Sequence, residues 1–440
     1  MLHTGKTLEE LHRQRERLLS YQARHGDGLE AYRQALAALR DRYPSAAALT
    51  SAQARRAAQA EAAGDMHSPG ARPTAEYDHW IATGMAGAPN IPFARRFTSH
   101  EDARAWAERL RGVTTFAVDG SQLPPWRDAS LPVALAQAGL FENPHNPPQP
   151  YVKDITVRLI TPEELAGDDP ETSDARAAED TGYSSRFVQL RRFELEVETI
   201  VTRMEHHRAR RAELEAAGLA PPLVIAFYDG SLIVSFALKA PPPYRERYVA
   251  AARRLLDDSA RCRVPLVAYI DTSYARDILA MLRGLAEPGA LPETRGLSDA
   301  ALWRGALAWG DRTPAFLSAR YDLARMGYSD GDDDADNEAG SGAQIGFVYL
   351  QAALDRPPAR LEFPRWLLDA GLLDQVMDAV RAEIIAGTGY PYPIEAADAV
   401  AVINAHDRAA FYQLFQEFSS REGLTLSFSR KALSKSRRRV

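Results

Sequence analysis

The stretch LVIAFYDGSL, residues 223–232, decides the predicted fold, because a β-rich apolar run there ends at an aspartate and a turn. A near copy, VTTFAVDGSQ, occupies residues 113–122. In each copy glycine permits an unusual φ angle and serine satisfies backbone groups of the turn. We therefore expect Asp119 and Asp229 at the carboxyl ends of two buried strands, the edge of an open sheet at which ligands bind.

The segments around these two runs predict alternating strands and helices. Apolar and β-branched runs indicate strands, and longer amphipathic stretches indicate helices. In chain order they are strands at 113–118, 133–141 and 151–160, a helix at 184–217, a strand at 223–228, a helix at 244–258, a strand at 264–270 and a helix through 282. The order β-β-β-α-β-α-β predicts an α/β fold, a mixed sheet flanked by helices.

The flanking regions differ in composition from this main domain, which we place at residues 99–415. Residues 1–63 predict an N-terminal extension of two amphipathic helices, either packed on the core or serving as an arm for a partner or DNA. Residues 64–98 hold several Gly and Pro residues and predict a linker. The acidic, Gly-rich residues 329–342 predict a solvated loop. Within the basic tail, 416–440, residues 430–440 carry six positive charges and are the best local candidate for loose contact with phosphates.

The overall composition excludes several classes of protein. The chain has 440 residues, a net charge of −6, 45% hydrophobic and 25% charged residues, which is typical of a folded protein. Its single cysteine, Cys262, cannot pair within the chain and fits a reducing compartment. No apolar run approaches the roughly 20 residues of a membrane span, and the N-terminus lacks an apolar secretory core. We expect a cytoplasmic protein without membrane attachment.

Two carboxylates at neighbouring strand ends predict a metal site. Asp119 and Asp229 would repel each other unless a cation neutralised them. An all-oxygen site favours Mn²⁺ or Mg²⁺ over zinc. Two such ions about 4 Å apart would suit attack of water on a phosphodiester, because one activates the water and the other stabilises the leaving oxyanion. The alternative is that Asp-Gly-Ser serves only as a common turn sequence.

The long helix supplies candidates for a third carboxylate, in the sequence FELEVETIVTRME at residues 193–205. At about 100° per residue, Glu194 falls at the edge of the apolar face, whereas Glu196 and Glu198 point further towards solvent. Glu194 is therefore the preferred ligand, with a solvated helix charge as the alternative for all three. Asp271 also ends a predicted strand, where we favour a helix N-cap over a further ligand.

The C-terminal segment GTGYPYPIEAADAV, residues 387–400, adds further polar candidates. Tyr390 and Tyr392 offer hydroxyls and rings that could meet a phosphate or stack on a base. Asp398 lies on the helix that follows, and His406 comes two turns later. A lone histidine near a helix end is more often structural, although its titration range suits proton transfer.

Taken in order, these motifs resemble those of the NurA nucleases. The resemblance rests on VDGSQ at 118–122, the helix that bears glutamates, YDGSLI at 228–233 and the late GYP segment at 389–391. It spans roughly residues 113–415. It implies a ribonuclease H-like core, a homodimer, and Mn²⁺-dependent cleavage of single-stranded DNA from the 5′ end and internally. It also implies partnership with HerA, a hexameric ATPase, in the processing of DNA ends for double-strand break repair.

The same resemblance assigns roles to individual residues. Asp119 and Asp229 match the metal-binding aspartates of the family, and Tyr390 matches its tyrosine. The helix glutamate is another ligand, for which Glu194 ranks ahead of Glu196 and Glu198. The family usually carries a histidine where this chain has Asp398. Either Asp398 serves as a carboxylate ligand in its place, or His406 supplies the imidazole.

Two other functions remain open from the sequence. An actin-like ATPase also uses strand-end Asp-Gly-Ser turns, around nucleotide phosphates, and would bind ATP tightly, although no Gly-rich P-loop is present. A catalytically inactive adaptor that guides DNA to a motor would lack the thermal shift that a metal produces at a preformed site.

Overall fold

The computed structural model describes residues 2–63, 68–83, 90–126, 129–166, 185–320, 323 and 344–427. Within these ranges the α-helices, in chain order, are α1 Thr4–Arg13, α2 Arg15–Ala37, α3 Leu39–Arg42, α4 Ala46–Ala62, α5 Ala75–Ala82, α6 His100–Ala107, α7 Pro162–Ala166, α8 Ser185–Ala216, α9 Pro242–Cys262, α10 Asp277–Leu285, α11 Asp299–Leu302, α12 Trp366–Asp369, α13 Leu373–Ala386, α14 Tyr392–Ala401 and α15 Ala405–Arg421. Short 3₁₀ helices cover Glu108–Leu110 and Ser235–Lys239. Among these helices none is long and apolar enough to cross a membrane.

The strands of the described residues are β1 Gly70–Pro73, β2 Thr114–Leu123, β3 Ala134–Asn143, β4 Val152–Ile160, β5 Val224–Asp229, β6 Leu266–Ile270, β7 Phe316–Ala319, β8 Ile345–Leu350 and β9 Ala359–Pro364. The predicted order of three strands, a helix, a strand, a helix and a strand is present in β2 to β6. The chain is therefore an α/β protein with a mixed sheet, as expected.

The chain divides into two compact units. The first unit comprises Met1–Phe97 and Tyr269–Arg365, and the second comprises Thr98–Ala268 and Trp366–Val440. This division differs from the predicted single domain at 99–415, because 269–365 group with the N-terminal residues. No local sequence pattern signals this grouping, because contacts between distant segments define a compact unit.

In the first unit, strands β1, β7, β8 and β9 follow one another in the sheet. Pairing is antiparallel between β1 and β7, β7 and β8, and β8 and β9. Helices α2, α4, α5 and α10 contribute buried apolar side chains to one core, which includes the fully buried Tyr32, Leu49 and Tyr77. The N-terminal extension thus packs on a core, although it forms four helices, α1 to α4, rather than the two predicted.

The described residues cover the predicted linker and basic tail only in part and leave out the acidic loop. The predicted linker at 64–98 contains β1 and α5, so at least those parts are regular structure. The acidic loop at 329–342 lies outside the described residues. Of the basic tail at 416–440, residues 416–421 complete α15, and 428–440 lie outside the described residues.

In the second unit the strand order is β5-β2-β3-β4, and Leu266 to Ala268 of β6 lie beside β5. Strands β2, β3 and β4 form an antiparallel meander, and β5 runs parallel to β2. Buried side chains of β2, β3 and β5 form the centre of this sheet, for example Phe116, Phe141 and Phe227. The helices α8 and α14 both pack on β2 and β3.

Candidate active site

The two Asp-Gly-Ser motifs lie side by side in the second unit. Thr114 to Ala117 of β2 pair in parallel with Val224 to Phe227 of β5, and the same register places Asp119 beside Asp229. Adjacent strands are about 4.8 Å apart, so these aspartates are neighbours. The expected convergence of the two acidic strand ends is present in this fold.

The surroundings of the two motifs differ from the prediction in one respect. Strand β5 ends at Asp229, and Gly230 has a φ of 108°, as the predicted turn requires. Strand β2, however, continues to Leu123, and Asp119 pairs with Gly139 of β3. The first motif is therefore part of an antiparallel ladder and is not a turn. A local sequence pattern does not show this continuation, because it depends on pairing with β3, a separate segment of the chain.

Glycines of β2 and β3 allow two helices to approach the sheet closely from opposite faces. A side chain on Gly120 would displace the carboxyl group of Glu196 on α8. Gly139 of β3 pairs with Asp119, so a Cβ on Gly139 would point to the same face of the sheet as Asp119. That Cβ would lie 2.6 Å from the backbone nitrogen of Ala401 in α14. The first glycine is thus needed for close approach rather than for an unusual φ angle.

Four carboxyl groups gather around this point of the sheet. Asp119 is hydrogen bonded to Asp398 of α14, and the charges of Asp119 and Asp229 both act on Glu196 of α8. Glu196 is only 5% exposed, Asp119 is half-buried, and Asp229 and Asp398 are exposed. We call Asp119, Glu196, Asp229 and Asp398 the carboxylate cluster. Its outer members are open to solvent and its inner member is enclosed.

Burial and mutual repulsion change the acidity of the cluster. Burial, followed by the charge of Asp398, raises the pKa of Asp119 to about 6. Burial, followed by the charges of Asp119 and Asp229, raises the pKa of Glu196 to about 8. Strongly perturbed carboxyl groups of this kind concentrate at functional sites. The cluster therefore holds protons near neutral pH that a bound cation would displace.

Two other side chains contact the cluster. The guanidinium of Arg192 donates hydrogen bonds to Glu196 Oε1 and, at 3.2 Å, to the carbonyl oxygen of Gly120. The Arg192 charge lowers the pKa of Glu196, against the larger effect of burial. The Tyr390 hydroxyl donates to Asp229 Oδ1 at 3.1 Å, so this tyrosine lies at the site as expected. Sequence analysis missed Arg192, for which the only signal is its position one helical turn before Glu196.

The structure does not bring Glu194, the preferred helix glutamate, into the carboxylate cluster. Glu194 accepts two hydrogen bonds from Arg247 of α9, at 2.8 and 2.7 Å, and another from Arg191. Glu198 pairs with Arg158 of β4 at 2.8 Å. Glu196, which was expected to point towards solvent, is the glutamate of the carboxylate cluster. Helix α8 packs on the sheet and also on α9, so its buried surface is wider than one apolar stripe.

The remaining sequence candidates lie elsewhere. His406 is exposed in the first turn of α15, where its backbone N–H donates to Asn404 Oδ1 at 2.7 Å. Asn404 and Asp407 form the capping box of that helix, so His406 belongs to a helix start. Asp271 lies 3.6 Å from Arg356 in the first unit. The N-cap of α10 is Arg276, so the expectation that Asp271 caps this helix was wrong.

The chemistry of the cluster fits a hard divalent cation. All its donors are carboxyl oxygens, which Mn²⁺ and Mg²⁺ prefer, and their crowding favours a cation over protons. In the described parts of the chain, no three Asp, Glu, His or Cys side chains converge closely enough to hold a metal ion as they stand. Arg192 forms an ion pair with Glu196 in this arrangement. The fit is thus one of donor chemistry, which requires the side chains to adjust around an ion.

Comparison with known proteins gives one family match. The model of the NurA domain matches residues 113–403, which include the whole carboxylate cluster. No curated protein matches.

Solved structures give weaker likenesses. A crystal structure of NurA with manganese shares 10% identity at a TM-score of 0.36, over 69% of this chain and 89% of that one. The catalytic domain of human endonuclease V shares 14% at 0.29, over 73% and 89%. Endonuclease V from Bacillus subtilis shares 12% at 0.27, over 74% and 98%. Each TM-score is below 0.5, and the family match alone carries the assignment.

Proposed function

Because this chain belongs to the NurA family of deoxyribonucleases, we propose that it hydrolyses phosphodiester bonds of single-stranded DNA at the carboxylate cluster, with Mn²⁺ or Mg²⁺. The observation that carries the proposal is the meeting of Asp119, Glu196, Asp229 and Asp398 at one end of the sheet. A lone structural role does not account for four acidic groups beside one arginine, because their repulsion opposes folding.

The chain's own residues have distinct tasks in this proposal. Asp119, Asp229 and Asp398 would hold the cation from the open side, and Glu196 would do so from the enclosed side. When bound, a pair of divalent ions activates water and stabilises the leaving oxyanion. Tyr390 orients Asp229 through its hydroxyl. Arg192 holds Glu196 and keeps a positive charge beside the position of a phosphate.

The strand order supports a ribonuclease H-like core. An antiparallel meander, β2 to β4, is extended on the β2 side by β5 and β6, and helices lie between the later strands. The family resemblance implies a ribonuclease H-like core, and this strand order is consistent with that proposal. Asp398 supports the reading in which a carboxylate replaces the family histidine, because it is hydrogen bonded to Asp119.

The central experiment compares cleavage of single-stranded DNA by the wild type, Asp119→Asn and Asp229→Asn in MnCl₂. Loss of an essential group of a catalytic unit lowers the rate by about a thousand-fold or more. We expect that loss in both variants, with folding and DNA binding retained. Equal rates in all three proteins would refute the assignment. Mn²⁺ should raise the melting temperature of the wild type, whereas an inactive adaptor would show no such shift.

The finer features belong to the same proposal: 5′ to 3′ exonuclease and endonuclease cleavage, a homodimer, a cytoplasmic location, and work with a HerA-type ATPase in the resection of DNA ends. Blocking the 5′ end of a labelled oligonucleotide should stop stepwise shortening and leave internal cuts. Blocking the 3′ end should have no effect. Stepwise shortening from a blocked 5′ end would contradict the proposed polarity without affecting the nuclease assignment.

A further inference from the structure

A large cavity opens on the second unit, away from the carboxylate cluster along β2. Its volume is about 1060 Å³. Its wall includes α6, the loop that follows β3 and the C-terminal end of α13. Pockets for small ligands measure about 300–1,000 Å³, so this cavity has room for more than one nucleotide.

The floor of the cavity carries an unusual acidic group. Glu383 is fully buried, and its Oε1 atom accepts a hydrogen bond from the Thr115 hydroxyl at 2.6 Å. The Nε2 atom of His145 lies 3.3 Å from the same oxygen. The other oxygen, Oε2, is buried without a hydrogen-bond partner. An unpartnered buried oxygen is costly to folding, and a polar ligand that donates a hydrogen bond would remove this cost.

Two further features mark this floor as a binding site. Burial raises the pKa of Glu383 to about 7, which lets the carboxyl group donate or accept near neutral pH. His145 and Thr388, which both line the cavity, have left-handed φ angles of 43° and 54°. Such strain in residues other than glycine concentrates at ligand sites.

The rim and wall have the chemistry that binds single-stranded nucleic acid. Arg104 and Arg111 are exposed at the rim, and Arg111 pairs with the exposed Glu108, a weak type of pair that a phosphate can replace. Tyr151, with 58% of its surface exposed, and Tyr392 offer aromatic rings. Arginines beside aromatic rings form the usual surface on which bases stack.

The cavity is connected to the carboxylate cluster by two elements. Thr115, which holds Glu383, and Asp119 lie four residues apart on the same face of β2, about 13 Å at 3.3 Å per residue. Tyr392 lines the cavity, and Tyr390, two residues earlier, donates to Asp229. We infer that the cavity is a subsite for single-stranded DNA, which holds an unstacked nucleotide a few positions from the phosphate at the cluster. The inference rests on the proposed nuclease function.

The test measures binding of a short fluorescent oligonucleotide by anisotropy in EDTA, so that cleavage cannot interfere. The double variant Arg104→Ala/Arg111→Ala should bind about tenfold more weakly and lower the salt slope by about 1.4, the value for two single-strand phosphates. Tyr151→Ala should weaken binding by about fivefold or more through lost stacking. Glu383→Gln, which keeps the side-chain volume, should weaken binding by about threefold.

The matched controls are an exposed arginine and an exposed tyrosine that do not line the cavity. Arg109→Ala removes an arginine from the same segment, 63% exposed, that pairs with Asp378 and does not line the cavity. Tyr274→Ala removes an 80% exposed tyrosine of the first unit. Both should bind like the wild type. The inference is overturned if the cavity variants bind like the wild type, or if Arg109→Ala loses as much affinity as the double variant. Tight binding without any metal-dependent cleavage would instead refute the proposed function and leave the subsite standing.

Discussion

Each unit of this protein surrounds one arginine with acidic side chains, and the two groups differ in nearly every other respect. In the first unit, Arg360 donates to Asp277 at 3.1 Å and to Glu362 at 2.8 Å. In the second unit, Arg192 donates to Glu196, and three further carboxyl groups lie close by. The comparison separates acidic groups that support the fold from acidic groups that we propose bind a cation.

The group around Arg360 is closed and well supplied with donors. Asp277, Asp299, Arg360 and Glu362 are at most 2% exposed. Asp299 accepts backbone N–H groups at the start of α10, from Ile278 at 3.0 Å and Leu279 at 2.9 Å, and the Tyr349 hydroxyl at 3.2 Å. The Arg360 guanidinium also lies 3.9 Å from the centre of the Phe347 ring. These contacts are those of a structural network.

The carboxylate cluster is open by contrast. Asp229 and Asp398 are exposed, and the cluster sits where β5 ends. Among the charges that act on Glu196, that of Arg192 has the largest effect, and those of Asp119 and Asp229 follow. Solvent access, together with repulsion that Arg192 relieves only in part, fits the proposed metal site better than a folding network.

The largest expected effect separates the two neighbouring glutamates of α8. Glu196→Gln removes the buried carboxyl group of the cluster, which could otherwise ionise to bind a cation, and should lower cleavage of single-stranded DNA by about a thousand-fold. Glu194→Gln, its matched control, removes the ion pairs with Arg191 and Arg247 outside the cluster and should keep cleavage within about twofold. Initial rates in MnCl₂ provide the measurement. Similar losses in both variants would show that α8 matters for folding rather than for chemistry.

The second prediction concerns stability. Arg360→Met leaves buried carboxylates without their counter-charge and should lower the free energy of unfolding by about 3–5 kcal/mol. Urea denaturation followed by circular dichroism measures this change. Cleavage per folded molecule should stay at the wild-type level, because the network does not belong to the carboxylate cluster. An Arg360→Met protein that keeps wild-type stability but loses cleavage would show that the Arg360 network serves catalysis rather than folding.

A smaller effect is expected at Tyr390. Tyr390→Phe removes only the hydroxyl that donates to Asp229. The loss of a group that orients a metal ligand costs about 10- to 100-fold in metal affinity or activity. We expect a shift of the Mn²⁺ dependence of cleavage to higher concentration by about tenfold. The matched control is Tyr392→Phe. An unchanged Mn²⁺ dependence in Tyr390→Phe would mean that Asp229 needs no orientation.

The smallest effect is a pH dependence of stability. Because the pKa of Asp119 is raised to about 6 and that of Glu196 to about 8, their contribution to stability is fully present below their ordinary pKa values of about 4. It is lost as the pH rises through 6 and 8. In EDTA the melting temperature should fall over this window. Asp299, with a pKa raised to about 7 by burial and by Asp277, adds a loss of the same sign.

Variants and metal separate these contributions. Asp299→Asn should remove the part of the pH-dependent loss of stability that comes from the first unit. Glu196→Gln should reduce the fall of the melting temperature near pH 8. Since metal binding displaces protons, the stabilisation by Mn²⁺ should grow from about pH 6 to about pH 8.5 in the wild type. A constant Mn²⁺ effect across this range would contradict cation binding by protonated carboxyl groups.

The sequence by itself determined strands β2 to β6, helices α8 and α9, and the pair Asp119 and Asp229. Local periodicity and turn residues carry that information, because each depends on neighbours in the chain. It also indicated Tyr390 and Asp398, through the ordered set of motifs.

Only the tertiary structure decided which glutamate faces the aspartates. The two candidates, Glu194 and Glu196, are about 200° apart around α8, and both of those sides are covered, one by α9 and one by β2. A helix wheel registers one apolar stripe and cannot distinguish two buried sides. The same holds for Gly120, Gly139 and the closed network around Arg360, since each depends on partners that are distant in the chain.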